Sequence, residues 1–383
     1  MLLLLTLLSM SAPTHADERA PRARDLGIPF DGKPGALNAI TDVAGVTVGH
    51  TTLISSAGPG HEVRTGVTAI LPRGQSSLDK PVFAGWFSLN GNGEMTGTAW
   101  IDESGQLEGP VMLTNTHSVG VVRDAVIDWR IHRGHPDPSG YWWSLPVVAE
   151  TYDGYLNDVN GFHVRPEHAR AALEAARGGP VAEGNVGGGT GMICHEFKCG
   201  IGTSSRLVTI GKQTYTIGVL VQANYGRRDT LRIAGVPVGH EIRMHRVWSQ
   251  DDPDHGDMGS IIIVVATDTP LLPHQLKRVA RRAALGLARN GSYAGNGSGD
   301  LFVAFSTANT VSAPDGPINS ATFIDNNSLD PVFLGTVEAT EEAIVNAMVA
   351  ARDMKGQNGH YAIAIPHDQL RAVLKRYNRL ATP

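Results

Sequence analysis

The sequence predicts an α/β protein in which helices cover the outer faces of stacked β-sheets. Its 383 residues include 45 glycines and 22 prolines, which divide the chain into short elements rather than long helices. From residue 260 onward, apolar runs typical of buried strands alternate with amphipathic helical patterns. Apolar residues make up 42% of the chain, which is enough for the large core that such layers need.

The first two thirds of the chain contain short apolar runs that predict six strands, and two periodic segments that predict helices. No repeat of fixed period is evident, so a solenoid or a propeller is not predicted. The strands are expected at residues 43–48, 67–71, 82–89, 111–113, 207–210 and 214–221, and the helices at 119–132 and 168–176.

The last third has a more regular pattern. Residues 261–266 are apolar and mostly β-branched, which is typical of a buried strand. A helix is predicted at about 273–289, because its apolar residues fall on one face and its Lys and Arg residues on another. Thr340 resembles an N-cap followed by acidic residues. The remaining predictions are a strand at 301–305, a helix opened by Thr340, a strand at 361–365 and a helix from about His367.

Charge and hydropathy exclude two classes of partner. The net charge is −5 with acids and bases interspersed, so no nucleic-acid-binding surface is predicted. No stretch reaches the roughly 20 apolar residues that span a bilayer. Residues 1–16 resemble a signal peptide, with an apolar start and small residues around Thr14–Ala16, which predicts a periplasmic or secreted protein. The segment lacks Lys and Arg, so a misassigned start and a cytoplasmic location are the alternative.

The chain has two cysteines, Cys194 and Cys199. An exported protein can form disulfides, but so short a loop is awkward for disulfide geometry. A zinc site would need two further ligands, and the sequence offers no clear pair. We therefore expect two buried free thiols.

The dipeptide Gly259-Ser260 stands directly before the apolar run at 261–266. This position suits self-cleavage: the Ser260 hydroxyl attacks the Gly259 carbonyl, the acyl group moves from nitrogen to oxygen, and water hydrolyses the ester. Ser260 then begins a new chain, and its α-amine, with a pKa of about 7.7–8, can act as the base for its own hydroxyl. The alternative is an ordinary turn entering a core strand.

A second polar cluster, at residues 296–300, precedes the strand predicted at 301–305. If the two strands are neighbours, Ser298 and Asp300 would reach Ser260, and Asp300 would orient and polarise the pair. A glycine-rich turn capped by Ser or Asn is the alternative.

The strand predicted at 214–221 leads into Asn224 and Gly226. The side-chain amide of an Asn at a strand end can donate to a developing oxyanion, an effect typically worth about 10²–10³ in rate. A turn-forming Asn before Gly is the alternative.

A further apolar run, at 145–149, ends in polar residues. Glu150 is a candidate for binding a substrate ammonium group, and Tyr152 is a candidate donor to the tetrahedral intermediate. Trp142 and Trp143, just before the run, would supply an aromatic wall. Ordinary surface residues at a strand end are the alternative.

Two other motifs are not assigned to ligand binding. The glycine run 187–191 lacks the Lys of a phosphate-binding loop and the spacing of a dinucleotide fingerprint, so it predicts close backbone packing or a pocket floor. The acidic segment 251–257 lacks the spacing and final Glu of a calcium loop, so it predicts a solvated loop rather than a metal site.

Five segments, in this order along the chain, resemble one family. They are residues 150–154, 187–192, 222–226, Gly259-Ser260 and 298–300. The chain resembles the DmpA-like aminopeptidases, a group that comprises L-aminopeptidase/D-esterases and β-peptidyl aminopeptidases. The resemblance extends from about Arg22 to the last helix. Some β-peptide-cleaving members have Glu at the position of Asp300.

The resemblance implies a four-layered αββα fold made of two chains cut from one precursor. Residues 17–259 would form the α-subunit and residues 260–383 the β-subunit, assembled as a homo-oligomer, usually a tetramer. No metal and no cofactor are implied. The substrates would be short peptides, amides or esters with a free N-terminal residue, including residues of D configuration.

The resemblance also implies roles for six residues. Ser260 would be the nucleophile and the self-cleavage residue, Asn224 and Tyr152 would stabilise the oxyanion, Ser298 and Asp300 would assist Ser260, and Glu150 would bind the substrate amine.

Three other functions fit parts of the sequence. A self-processing acyltransferase of the ornithine acetyltransferase type would share the layered fold, but those enzymes use Thr where this chain has Ser260. A periplasmic solute-binding protein would need no enzyme site and would have two similar lobes and an uncut chain. A metal hydrolase using the acidic segment would lose activity with chelators.

Overall fold

The computed structural model describes residues 20–75, 80–133, 143–247, 257, 259–309 and 318–381. The predicted signal peptide therefore lies outside the described residues. Of the acidic segment before Ser260, only Asp257 is described.

The glycine and proline content predicts short elements, but seven of the fourteen described strands have eight or more residues and three helices have 15 to 20, so this prediction was wrong for the main elements. The described strands, in chain order, are β1 (Thr47–Ser56), β2 (Glu62–Gln75), β3 (Val82–Gly91), β4 (Gln106–Leu107), β5 (Val111–Asn115), β6 (Val147–Thr151), β7 (Ile193–Cys194), β8 (Phe197–Lys198), β9 (Ile201–Ile210), β10 (Gln213–Asn224), β11 (Ser260–Thr267), β12 (Gly299–Ser306), β13 (Met354–Lys355) and β14 (Tyr361–Ala362).

The helices pack against these strands. They are α1 (Thr98–Ser104), α2 (Val119–Arg133), α3 (Pro166–Glu174), α4 (Val238–Glu241), α5 (Pro273–Arg289), α6 (Asp330–Val349) and α7 (His367–Arg376).

Two main sheets form from the strands. One sheet has four strands in the order β1-β2-β5-β6, and the other has six in the order β4-β3-β12-β11-β10-β9. Both are mixed: β5 and β6 are parallel, as are β11 and β12, while the other neighbours are antiparallel. Each parallel pair has a helix in its connection, α2 in the first and α5 in the second.

Of the four buried apolar clusters in the described residues, the three large ones hold the sheets and helices together. One joins the six-stranded sheet to α5 and α6, and another joins β2 and β5 to α2 and α3. The remaining cluster contains residues of both sheets, including Ile70 and Leu113 of the smaller and Ile262 and Val303 of the larger. The predicted α/β class is confirmed.

Most predicted elements are present, but several of their bounds were wrong. Strands β2 and β9 begin at Glu62 and Ile201, before the predicted residues 67 and 207. The first strand begins at Thr47 rather than at residue 43, because Ile40–Asp42 form a 3-10 turn. Residues 361–365 contain only the two-residue strand β14. Thr340 does not begin a helix: it lies inside α6, where its hydroxyl donates to the Thr336 carbonyl at 2.7 Å.

The register of the larger sheet positions the candidate site. Parallel strands β11 and β12 begin at Ser260 and Gly299, which are paired, and antiparallel β10 ends at Asn224, directly opposite Ser260. Three polar segments that are far apart in sequence therefore meet at one edge of the sheet. Within the described residues, no helix has the length and apolar character needed to cross a membrane.

Candidate active site

Ser260 is held by the strand that follows it. The apolar residues 261–266 of β11 are fully buried, and Ser260 itself is 5% exposed. Its neighbours across the sheet are Asn224 on one side and Gly299 on the other. Residues directly opposite in an antiparallel pair have Cβ atoms about 4.5–5.5 Å apart, so the Asn224 amide lies beside the Ser260 side chain.

The Gly299 backbone amide contacts the two oxygen atoms that would take part in self-cleavage. Its N–H donates to the Gly259 carbonyl oxygen and to Ser260 Oγ, each at 3.2 Å. A hydrogen bond to the carbonyl oxygen stabilises the negative charge that develops there when a nucleophile attacks. Gly259 cannot carry a side chain, because a Cβ there would lie 2.2 Å from Asn224 O and from Tyr225 Cα.

Ser298 and Asp300 flank Gly299, the strand partner of Ser260. The described hydrogen bonds do not join either side chain to Ser260, so their predicted assistance to Ser260 stays a prediction. The Ser298 hydroxyl donates to Asp300 Oδ1 at 2.7 Å, and both residues are fully buried. Burial raises the pKa of Asp300 to about 6; the Ser298 hydrogen bond opposes this rise, and the nearby Asp257 carboxylate adds to it. Asp300 therefore exchanges a proton near neutral pH.

Two asparagines that the sequence analysis missed support this turn. Asn90 Nδ2 donates to the Ser298 carbonyl at 2.5 Å and to the Gly295 carbonyl at 2.7 Å, and Asn92 Nδ2 donates to the Gly297 carbonyl at 2.7 Å. Both follow the apolar strand predicted at 82–89, so they carry the same signal, polar residues at a strand end, that identified Asn224.

The orientation of Asn224 is fixed by one hydrogen bond. Its Oδ1 accepts the Ile193 N–H at 2.8 Å. The carbonyl end of the side chain is therefore used internally, and the NH₂ group is the end left to donate to a substrate oxygen.

Cys194 and Cys199 form a disulfide, so the expectation of two free thiols was wrong. Strands β7 and β8 form a tight hairpin, and the two residues between them, His195 and Glu196, adopt left-handed backbone angles of φ 48° and 62°. These angles bring the two Cα atoms to 5.4 Å, which is within the usual disulfide range. The disulfide thus closes the hairpin whose Ile193 amide holds Asn224.

Removing this disulfide is expected to weaken both the fold and the catalytic site. The double variant C194A/C199A should lose about 2 kcal/mol of unfolding free energy, and its peptidase rate should fall because the Ile193 amide is less firmly placed. Thermal unfolding and peptidase assays measure the two effects. Dithiothreitol should lower the wild-type Tm toward that of the double variant, since both cysteines are buried in the fold but become open to reduction when the chain unfolds. A double variant with wild-type Tm would contradict the prediction.

Glu150 is a buried carboxylate near the strand ends at which Ser260 lies. Only 4% of the residue is exposed; Oε1 accepts the Glu94 N–H at 3.0 Å and Oε2 accepts the Thr116 hydroxyl. Burial raises the pKa of Glu150. Gly93 lies between Glu150 and the start of β12: a Cβ on it would be 3.3 Å from Glu150 Oε1 and 3.1 Å from Gly299 Cα. Gly93 therefore separates the Glu150 carboxylate from Gly299, the strand partner of Ser260.

Tyr152 and Trp143 are at the surface rather than in this cluster. Tyr152 is 50% exposed, and its hydroxyl lies over Gly154, 2.2 Å from where a Cβ would stand. Trp143 is half exposed and packs edge-to-face against Trp100 at 5.7 Å. Neither has a hydrogen bond to Ser260, Asn224 or Glu150 among the described contacts, so their proposed roles remain predictions.

The glycine run at 187–191 packs closely, as predicted. A Cβ on Gly188 would be 2.1 Å from Gln222 Oε1, and the Gly188 N–H donates to Thr68 Oγ1 at 3.1 Å. Within the described residues, no group of three or more His, Cys, Asp or Glu side chains is arranged to hold a metal ion.

Known proteins share this sequence and geometry. The chain matches the model of Peptidase family S58 over residues 38–362. It is 55% identical over 381 residues to Beta-peptidyl aminopeptidase BapA of Sphingosinicella microcystinivorans, an alignment that covers 96% of this chain and 95% of that protein.

Solved structures agree with the sequence match. The L-aminopeptidase D-ala-esterase/amidase of Ochrobactrum anthropi, a serine aminopeptidase with a variant of the Ntn hydrolase fold, is 51% identical, with a TM-score of 0.89 over 94% of this chain and 100% of that chain. The beta-aminopeptidase of Burkholderia sp. is 46% identical, with a TM-score of 0.85 over 95% and 100%. The acyltransferase and binding-protein alternatives find no support. The chain has an α/β Ntn-hydrolase-like fold and belongs to peptidase family S58 as a serine aminopeptidase.

Proposed function

We propose that the chain cuts its own Gly259–Ser260 bond and then acts as an N-terminal-serine aminopeptidase. Residues 17–259 and 260–383 would be its two subunits. The observation that carries this proposal is the Gly299 N–H, which contacts the Gly259 carbonyl oxygen and Ser260 Oγ together. A single amide thus holds the attacking atom and stabilises the charge on the group attacked.

Self-cleavage proceeds by an N-to-O acyl shift. Ser260 Oγ bonds to the Gly259 carbonyl carbon, the C–N bond breaks, and the hydroxyl proton passes to the departing nitrogen. Water then hydrolyses the ester, which leaves a carboxylate on Gly259 and restores the Ser260 hydroxyl. Asp300, with Ser298 bonded to it, would assist this step: it lies next to Gly299, the strand partner of Ser260, and burial raises its pKa to about 6.

In the cleaved enzyme, the Ser260 α-amine takes the proton from Oγ, and Oγ attacks the substrate carbonyl. The Asn224 NH₂ group donates to the oxyanion, with Tyr152 as the second proposed donor. Glu150 binds the substrate ammonium group, and Trp143 contributes an outer wall of the binding site. The ammonium requirement restricts the substrates to short peptides, amides or esters with a free N-terminal residue.

Further parts of the proposal concern architecture and location. The three apolar clusters support a four-layered αββα arrangement, and the family supports a homo-oligomer of cleaved heterodimers. Export after removal of residues 1–16 is supported by the Cys194–Cys199 disulfide, because disulfides persist in oxidising compartments.

A substrate panel tests the proposed specificity. We expect aminoacyl p-nitroanilides with a free amine to be cleaved at least about 10²-fold better, in kcat/KM, than their N-acetylated counterparts, because only the former pair with a carboxylate. L-, D- and β-aminoacyl members of the panel show which backbone the site accepts, and the relatives predict cleavage of more than one class. Equal rates with and without the acetyl group would contradict the proposal.

A further inference from the structure

Asp257 lies three residues before Ser260 and is 5% exposed. Its Oδ1 accepts the Gly226 N–H at 3.0 Å, just beyond the end of β10. On its other side it packs against the turn before β12, where a Cβ on Gly295 would be 2.5 Å from Asp257 Cβ. The residue is therefore clamped between the two segments that also flank the scissile peptide.

The second carboxylate oxygen of Asp257 is one of three neighbouring buried polar atoms that have no hydrogen-bond partner within the described structure. Asp257 Oδ2, Asp300 Oδ2 and the Tyr225 hydroxyl are all buried, and none has a hydrogen-bond partner within the described structure. Burial, Asp257 and Asp300 all raise the pKa of Tyr225, which shows that its hydroxyl lies within electrostatic reach of both carboxylates. Buried polar atoms are normally paired, so an unpaired set beside a reactive bond indicates a function.

The remaining neighbours of this pocket add little positive charge. The His195 ring packs edge-on to Tyr225 at 4.9 Å, and its Nδ1–H donates to the Arg227 carbonyl at 2.8 Å. Burial lowers the pKa of His195 to about 4, so the ring is neutral at pH 7. The Arg228 guanidinium affects the pKa of His195 but not that of Asp300. The described groups that affect the pKa of Asp300 are the Ser298 hydroxyl, the Ile261 amide and the Asp257 carboxylate.

We propose that Asp257 is a positioning residue for self-cleavage: its clamped carboxylate orders the segment that carries Gly259, and its charge acts on Asp300 through the pocket that both share with Tyr225. This inference rests on the proposed self-cleavage. It gives a role in that reaction to a residue of the proposed α-subunit, residues 17–259. Asp257 touches neither reacting atom. It acts on the reaction through the position of Gly259 and through the proton held by Asp300.

Two substitutions separate the effect of the hydrogen bond between Asp257 and Gly226 from the effect of the Asp257 charge. Asp257→Asn keeps an oxygen that can accept the Gly226 N–H but removes the charge, while Asp257→Ala removes both. Removing a negative neighbour lowers the pKa of Asp300, so Asp300 stays ionised to lower pH. In Asp257→Asn we expect a maximal cleavage rate within about threefold of wild type, with the acid limb of the pH profile shifted to lower pH. In Asp257→Ala we expect the same shift and a rate at least about tenfold lower.

The experiment follows fragment formation in the full-length chain. Precursor isolated from inclusion bodies in urea is refolded by dilution into buffers from pH 5 to 8, and cleavage is timed by gel and mass spectrometry. Asp268→Asn is the matched control, because Asp268 also accepts one backbone N–H, from Thr216 at 2.6 Å, but at the opposite end of β11. It should cleave with the wild-type rate and profile.

The outcomes distinguish this inference from the proposal on which it rests. Wild-type rate and profile in both Asp257 variants would overturn the role of Asp257 and leave self-cleavage intact. Failure of the wild-type chain to cleave would instead overturn self-cleavage itself. If Asp257→Ala does not fold, the pH profile of Asp257→Asn alone decides, because a purely structural role would not shift it.

Discussion

Replacing Ser260 with alanine is expected to leave a single uncut chain without aminopeptidase activity. The variant lacks the hydroxyl that attacks Gly259 and, later, the substrate, so both reactions lose their nucleophile. Loss of the nucleophile from a comparable hydrolase costs on the order of 10⁶ in kcat. Intact-mass spectrometry and a p-nitroanilide assay on the same preparation measure the two effects.

The fold should survive this substitution. The described hydrogen bond of Ser260 Oγ is the 3.2 Å contact with the Gly299 N–H, and that amide also has the Gly259 carbonyl as an acceptor. Ser306→Ala is the matched control: Ser306 is a buried serine at the far end of β12 whose hydroxyl donates to the Thr269 carbonyl at 2.6 Å. It should be cut and active. Cleavage at residue 260 in the Ser260→Ala variant would place the nucleophile elsewhere.

The sheet register explains why the reaction is located here. Gly299 is the strand partner of Ser260, so its N–H donates to the carbonyl of the residue before Ser260, which is the slanted hydrogen-bond pattern of a parallel pair. Antiparallel β10 ends opposite Ser260 and contributes Asn224. Ser260, Asn224 and the Gly299 N–H, to which the proposed mechanism gives roles, therefore meet at one edge of the sheet.

Features encoded within one segment could be predicted from the sequence. The alternation of apolar and basic residues in α5 gave its bounds, and the β-branched run of β11 gave its burial. Polar residues at the ends of apolar runs identified Ser260, Asn224, Ser298 and Asp300 as candidates, and the sheet register brings the strand ends that carry them to one edge.

Features that depend on distant segments could not be predicted in this way. Helix α6 is buried on most of its faces, so it has little polar periodicity to mark its start, and Thr340 was mistaken for a cap. The disulfide requires two successive left-handed residues, His195 and Glu196, which no local propensity suggests. Asp257 was assigned to a solvated loop, yet it is buried, because its partners come from β10 and from the turn before β12.

Replacing Glu150 with glutamine is expected to impair substrates with a free amine far more than N-blocked esters. Glutamine keeps the size of the side chain and an oxygen for the Glu94 N–H, and its NH₂ group can donate to the Thr116 hydroxyl oxygen, but the charge that pairs with the ammonium group is lost. Loss of a partly buried charge-assisted contact should raise KM for free-amine substrates by about 10²-fold. Steady-state kinetics with an aminoacyl ester and its N-acetylated form measure the difference.

The pH profile provides a second test of the same role. Since burial raises the pKa of Glu150, the wild-type kcat/KM for free-amine substrates should fall as the pH drops through that raised pKa and the carboxylate becomes protonated. The Gln variant should lose this acid limb, because its side chain does not titrate. Glu94→Gln is the matched control: Glu94 is an exposed carboxylate beside Glu150, and its contact with Glu150 is made by the backbone N–H, which the substitution keeps. The opposite result, in which Glu94→Gln and not Glu150→Gln lowers kcat/KM for free-amine substrates, would contradict the proposal. The ammonium group would then bind at the exposed Glu94 carboxylate, and Glu150 would serve only to hold β6 against residue 94.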